Sequence, residues 1–239
     1  MTPNSELKKR AWSSLRGNWG TAIGVILMFW LLAIASGFVP FGKFLILAPA
    51  MVGLYAYFIN LTSGKEAIFS NLFEGFDIYG KSIIAGLLSW LIKLGAGLLY
   101  FVAVISFFLI PFVSNFDSFD SFDADMLIFA GLWWKLFVLF VLSLPLIWVS
   151  IRLSQVYLVL AANPEVKGDV AIEISWKMMK GYEWKYLGLL FSFIGWYLLM
   201  IITLGIASLW ALPYIRASLA EFYMDISQDF DMTPYLLKN

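Results

Sequence analysis

Five ionisable side chains fall inside stretches that are otherwise apolar: Lys93, Lys135, Arg152, Arg216 and Glu221. A charge at the centre of a bilayer costs roughly 2.5–3.5 kcal/mol on insertion scales, so each needs a partner or a task. Arg152 and Arg216 share a local pattern, Ile151-Arg152-Leu153-Ser154 and Ile215-Arg216-Ala217-Ser218, and each follows a proline. Arg216 sits about 15 Å into its apolar run if that run begins near Ile206. Glu221 is the natural counter-ion, but five residues place it about 140° round a helix from Arg216, so it is expected to reach Arg152 instead. Convergence of Arg152, Arg216 and Glu221 would leave a guanidinium to grip a phosphate or carboxylate with two parallel hydrogen bonds. Lys93 joins these candidates if Lys81 marks the membrane surface, which would put it about 18 Å deep. Lys135, beside Trp133 and Trp134, reads as a snorkelling lysine in an aromatic belt.

Other chemistries are excluded by what the chain lacks. It has no cysteine and no histidine, so thiol nucleophiles, Ser-His triads and His-bearing zinc sites are out. No Gly-rich phosphate loop occurs, and no metal site or cofactor is expected. Asp117, Asp120, Asp123 and Asp125 form an acidic loop without the glycine or closing glutamate of a calcium loop, so it reads as solvated. Sixteen basic residues balance sixteen acidic ones, which speaks against a nucleic-acid partner. The expectation is a protein that is not an enzyme.

The elements that must position these groups are membrane helices. Of 239 residues, 62% are hydrophobic and 13% charged, against about 45–50% and 25% in soluble domains. Six crossings are predicted: Gly20 to Phe38, Phe44 to Leu61, Ser82 to Val113, Met126 to Ala162, Leu187 to Leu204 and Ile206 to Tyr223. A crossing needs roughly 20 residues, so the third and fourth are too long. Breaks are expected at Gly95, Gly97 or Pro111 in the third and at Pro145 in the fourth. Of the basic residues outside these runs, Lys43 alone falls on one side of the membrane. The excess on the other side places both termini in the cytoplasm. An N-terminal signal peptide is disfavoured because its apolar run would be too long.

Internal similarity organises the whole. Trp12-Ser13-Ser14-Leu15-Arg16-Gly17 and Trp176-Lys177-Met178-Met179-Lys180-Gly181 share one pattern, and each is followed by a tryptophan, Trp19 or Trp184. Between them, Ser63-Gly64-Lys65-Glu66 has capping-box spacing and opens a stretch with Ile68, Phe69, Leu72, Phe73 and Phe76 on one face. The prediction is an all-α polytopic bundle in one membrane domain, built of three parallel repeats at residues 4–62, 63–162 and 165–226. Each repeat would be an amphipathic helix followed by two spans. Leu7, Ala11, Leu15 and Trp19 form the first apolar stripe and Ile172, Trp176 and Met179 the third. Such helices either lie in the headgroup layer, making the bilayer and its anionic headgroups the expected partners, or frame the bundle by packing within it.

The run from Ala161-Ala162-Asn163-Pro164-Glu165 through Met179-Lys180-Gly181, Leu190-Phe191-Ser192-Phe193-Ile194-Gly195-Trp196 and Thr203-Leu204-Gly205-Ile206 to Leu209-Trp210, Pro213-Tyr214 and Ala220-Glu221-Phe222-Tyr223 resembles bacterial integral membrane proteins of domain-of-unknown-function family 975. Leu15-Arg16-Gly17-Asn18-Trp19 is similar to the same family. The resemblance implies a bacterial cytoplasmic membrane location and brings no activity or catalytic residue. The expected role is a non-catalytic accessory or scaffold protein of the envelope, contacting another membrane protein. The alternative is binding or translocation of an anionic amphiphile or lipid between the repeats.

Overall fold

A computed structural model describes residues 2–114 and 124–236, with side chains described at 2–107 and 134–235. The acidic loop thus lies largely outside the described residues, and the side chain of Asp125 lies outside them too. The described chain is helical, with no strand among the described residues. Its helices are α1 (Asn4–Leu15), α2 (Trp19–Gly37), α3 (Ala48–Thr62), α4 (Glu74–Asp77), α5 (Tyr79–Ser114), α6 (Ala124–Arg152), α7 (Val156–Ala162), α8 (Gly168–Met178), α9 (Glu183–Phe191), α10 (Ile194–Ile202), α11 (Ser208–Ser227) and α12 (Thr233–Leu236). A π-turn, Lys43–Leu47, leads into α3, and a 3-10 turn, Phe69–Phe73, leads into α4.

Among the described residues, five helical stretches are long and apolar enough to cross a membrane: Trp19–Gly37, Lys43–Thr62, Tyr79–Phe107, Trp134–Ala162 and Glu183–Ile202. The sixth expected crossing corresponds to α11, whose 20 residues are long enough. It carries Arg216, Glu221 and Asp225, and its second half is almost wholly buried. A helix packed on all sides by protein does not need an all-apolar surface.

Two long segments break elsewhere than expected. The 36-residue α5 runs unbroken through Gly95, Gly97 and Pro111. Pro145 lies within α6, and the chain breaks only at Leu153–Gln155. There Ser175 Oγ donates to the carbonyl of Arg152 at 2.7 Å and accepts from the amide of Gln155 at 3.2 Å, which satisfies the backbone groups that the break frees. A further break at Ser192–Phe193 separates α9 from α10.

The chain forms two compact bodies, residues 90–151 and the remainder. The body of 90–151 is an apolar pair of helices with outward-facing bulk, for example Leu99 at 75% exposed and Val102 at 61%. Contiguous apolar surface of this extent on apolar helices fits lipid contact.

The other body holds the buried polar residues described and most of the core. In it α1 packs on α11, burying Leu7, Ala11 and Leu15, while Trp19 is half-buried. The 3-10 turn and α4 pack on α3 backbone to backbone. A Cβ on Gly53 would stand 1.9 Å from the carbonyl oxygen of Leu72, and one on Gly75 would stand 1.9 Å from that of Pro49, so no other residue fits at either point. Likewise α8 packs on α7.

The surface segments depart from their predicted stripes in two places. Ser63 and Gly64 end α3 rather than starting a helix: Gly64 has φ +68° and the amide of Lys65 donates back to the carbonyl of Asn60. The next turn begins at Phe69, where the Asn71 side chain accepts from the amide of Ile68 at 2.7 Å. Only Leu72 of the predicted stripe is buried there; Ile68, Phe69 and Phe73 are exposed and Phe76 is half-buried. On α8 the buried line is Ala171, Ile174, Ser175 and Met178, with Met179 behind it. Ile172 and Trp176 flank it, because small Ala171 and Ser175 allow the closer approach to α7.

Candidate functional site

Arg152 ends α6 and is 7% exposed. One terminal nitrogen lies 2.6 Å from a Glu183 carboxylate oxygen, and the other donates to the carbonyl of Trp176 at 2.8 Å. The guanidinium also lies 5.9 Å from the Trp176 ring centroid. It therefore joins the last turn of α8, whose carbonyls lack helical partners, to the first residue of α9. Glu183 also accepts the amide of Gly181 at 2.8 Å. The expected pairing of Arg152 with Glu221 is not what forms, because Glu183, arriving at the start of α9, occupies the guanidinium.

Arg216 is the ninth residue of α11, about 12 Å along it. Its guanidinium donates to the Tyr55 hydroxyl at 2.5 Å and lies 5.3 Å from that ring's centroid. Tyr186 on α9 and Tyr197 on α10 are close enough to feel its charge. Tyr186 in turn faces Ser154, which accepts from Gln155 Nε2 at 2.8 Å. Arg216 is half-buried and makes no ion pair among the described residues. A guanidinium has five N–H donors, and one tyrosine hydroxyl leaves most of them open to an incoming oxyanion.

Glu221 is 6% exposed and turns away from both arginines. It opens on a cavity of about 360 Å³ lined also by Arg10, Ser13, Ser14, Thr62, Met224, Asp225 and Gln228. Nearby, Asp225 accepts from Lys185 at 2.5 Å and from the hydroxyl of Thr2, tying the entry to α1 to the start of α9. Burial pushes the Asp225 carboxyl up, but the hydrogen bonds from Lys185 and Thr2 outweigh it and hold the carboxyl below the usual range. Lys93 lies on the exposed surface of α5 in the body of 90–151, and Lys135 is exposed beside Trp134, which stacks on Phe137 at 5.7 Å. Arg152, Arg216 and Glu221 thus each have their own surroundings, and Lys93 belongs to the other body. Sequence reasoning missed Glu183, Tyr55 and the Asp225–Lys185 pair. Only Glu183, two residues after the Trp-x-x-Met-Lys-Gly pattern, carried a local hint.

No group of three or more carboxylates able to hold a metal ion occurs among the described residues. The described chain is all-α, with five helical stretches among the described residues long and apolar enough to cross a membrane, as an all-α membrane protein requires. The chain belongs to a family of proteins of unknown function, DUF975, whose profile matches residues 1–229. No curated protein and no solved structure matches it.

Proposed function

We propose that this is a non-catalytic protein of the bacterial cytoplasmic membrane that binds the anionic headgroup of an amphiphile at Arg216. Its termini are cytoplasmic and its three segments of helix plus two spans are parallel repeats. The observation that carries the reading is Arg216 itself, a half-buried guanidinium on α11 that bonds Tyr55 and makes no ion pair among the described residues. A cation so placed is stabilised by an anion, and a lipid phosphate or carboxylate reaching between helices supplies one. Arg152 has a different duty, since Glu183 neutralises it.

The accessory or scaffold role is the competing reading, supported by the broad exposed apolar surface. Native mass spectrometry of mildly solubilised protein separates the two. The expected result is a retained anionic amphiphile that Arg216→Ala loses and that Lys135→Ala keeps. Equal retention by both variants would overturn the binding reading and favour a protein partner.

A further inference from the structure

The cavity under Glu221 is lined mostly by hydrogen-bond acceptors, with Arg10 and the Gln228 amide as its donors. Ser13 and Ser14 each donate their hydroxyl hydrogen to the carbonyl of Arg10, at 2.7 and 3.0 Å, and Thr62 donates to that of Phe58 at 2.8 Å. A hydroxyl has one hydrogen and two lone pairs, so all three present acceptors to the space they line. Glu221 adds a carboxylate that is 94% buried by its 6% exposure, accepts no hydrogen bond and makes no ion pair among the described residues. A buried, unpartnered carboxylate is costly to maintain, and one facing a cavity of acceptors calls for a cation that donates hydrogen bonds. Arg10 lines the same cavity, but its Nε is directed to Glu6 at 3.6 Å.

A second cavity, of about 650 Å³, shares Ser13, Ser14 and Thr62 with the first. Its lining adds the exposed Arg16, Lys65 and Glu66, with Asn18 between helix ends. The two cavities meet at Ser13, Ser14 and Thr62, so a ligand lying across those residues faces Glu221 on one side and Arg16, Lys65 and Glu66 on the other. We infer that this paired cavity binds a zwitterion with a primary ammonium on Glu221 and a phosphate or carboxylate on Arg16 and Lys65. The site is separate from Arg216 and does not depend on the headgroup reading given above. Ammonium recognition through three N–H donors also excludes a quaternary amine, which has none.

The test uses the full chain in mild detergent, titrated in native mass spectrometry with phosphatidylethanolamine and phosphatidylcholine of identical acyl chains. Soluble phosphoethanolamine and phosphocholine are titrated in parallel. The expected result is about a tenfold preference for the primary ammonium, a charge-assisted hydrogen bond's worth of discrimination. Glu221→Gln, which keeps the volume, removes the preference. Thr62→Val, which keeps the shape and deletes one acceptor, reduces it severalfold and reports on the site should Glu221→Gln fold poorly. Lys65→Ala weakens both probes equally and leaves the preference intact. Preference confined to the lipid pair identifies a membrane aminophospholipid; preference in the soluble pair identifies a small metabolite. Equal binding of primary and quaternary probes by the wild type, or a preference that survives both Glu221→Gln and Thr62→Val, overturns the inference.

Discussion

The segments Trp12–Gly17 and Trp176–Gly181 fold alike and are fastened differently. Each ends a helix at a left-handed glycine, Gly17 at φ +84° and Gly181 at +88°. Each glycine is followed by a residue of nearly the same conformation, Asn18 at φ −116°, ψ 10° and Tyr182 at φ −107°, ψ 3°. Around them the copies diverge. Trp12 meets the rings of Trp19 and Tyr214, both at 5.2 Å, and the Ser13–Asn18 side leaves cavities open. Trp176 instead backs Arg152, whose pair with Glu183 pins the turn shut, and Trp184, the counterpart of Trp19, is 85% exposed. Short-range sequence thus sets the turn, while partners from distant elements decide whether the copy becomes a joint or an open site.

The largest expected effect breaks the pinned copy. Removing one member of a mostly buried ion pair strands the other, so Arg152→Ala or Glu183→Ala should cost about 3 kcal/mol or more. Thermal unfolding in mild detergent would show this, and equal melting of variant and wild type would refute the role given to the pair.

Next in size is the tie between the two regions. Asp225→Ala should cost about 1.5–3 kcal/mol through its charged hydrogen bonds. Because the folded carboxyl is held below its ordinary value, its contribution is full above about pH 3.9 and fades as pH falls through the folded value. Wild type should therefore lose stability on acidification in that range, with a shallower slope in Asp225→Asn.

The glycines sharpen the comparison. Nothing lies within 4 Å of a Cβ added at Gly17 or Gly181, so Gly→Ala probes backbone strain alone. Each should cost about 1–2 kcal/mol, and the two should agree closely. A large inequality would mean that the turns are not equivalent. At the small end, Glu173→Ala removes an exposed pair with Lys177 and should leave the melting temperature unchanged.

Where the determinant was local, the sequence was readable. Trp19–Gly37 and Lys43–Thr62 match the predicted spans, Leu7, Ala11 and Leu15 of the predicted apolar stripe are buried by packing on α11, and membership of the family follows the motif run. Reading failed where a distant segment decides. Ser63-Gly64 has the spacing of a helix start, yet the amide of Lys65 finds the carbonyl of Asn60 and closes the preceding helix. The face of α8 was misjudged because a tryptophan looks more apolar than Ala171 or Ser175, although only the small pair lets α7 approach. Arg152 and Arg216 were found as a type, but a pattern of spacing along one helix cannot say which carboxylate or tyrosine another helix will bring.

The packing of α1 on α11 has a consequence for biosynthesis. On the ribosome α1 emerges well before α11, and its Leu7, Ala11 and Leu15 lack that docking surface until α11 has been translated and inserted. During that interval the stripe must rest on the bilayer surface, where an amphipathic helix is stable. Joining the two ends closes a loop through all the intervening spans, so it is the slow and last step of assembly. Nascent chains arrested before α11 should present α1 to protease, and full-length chains should protect it.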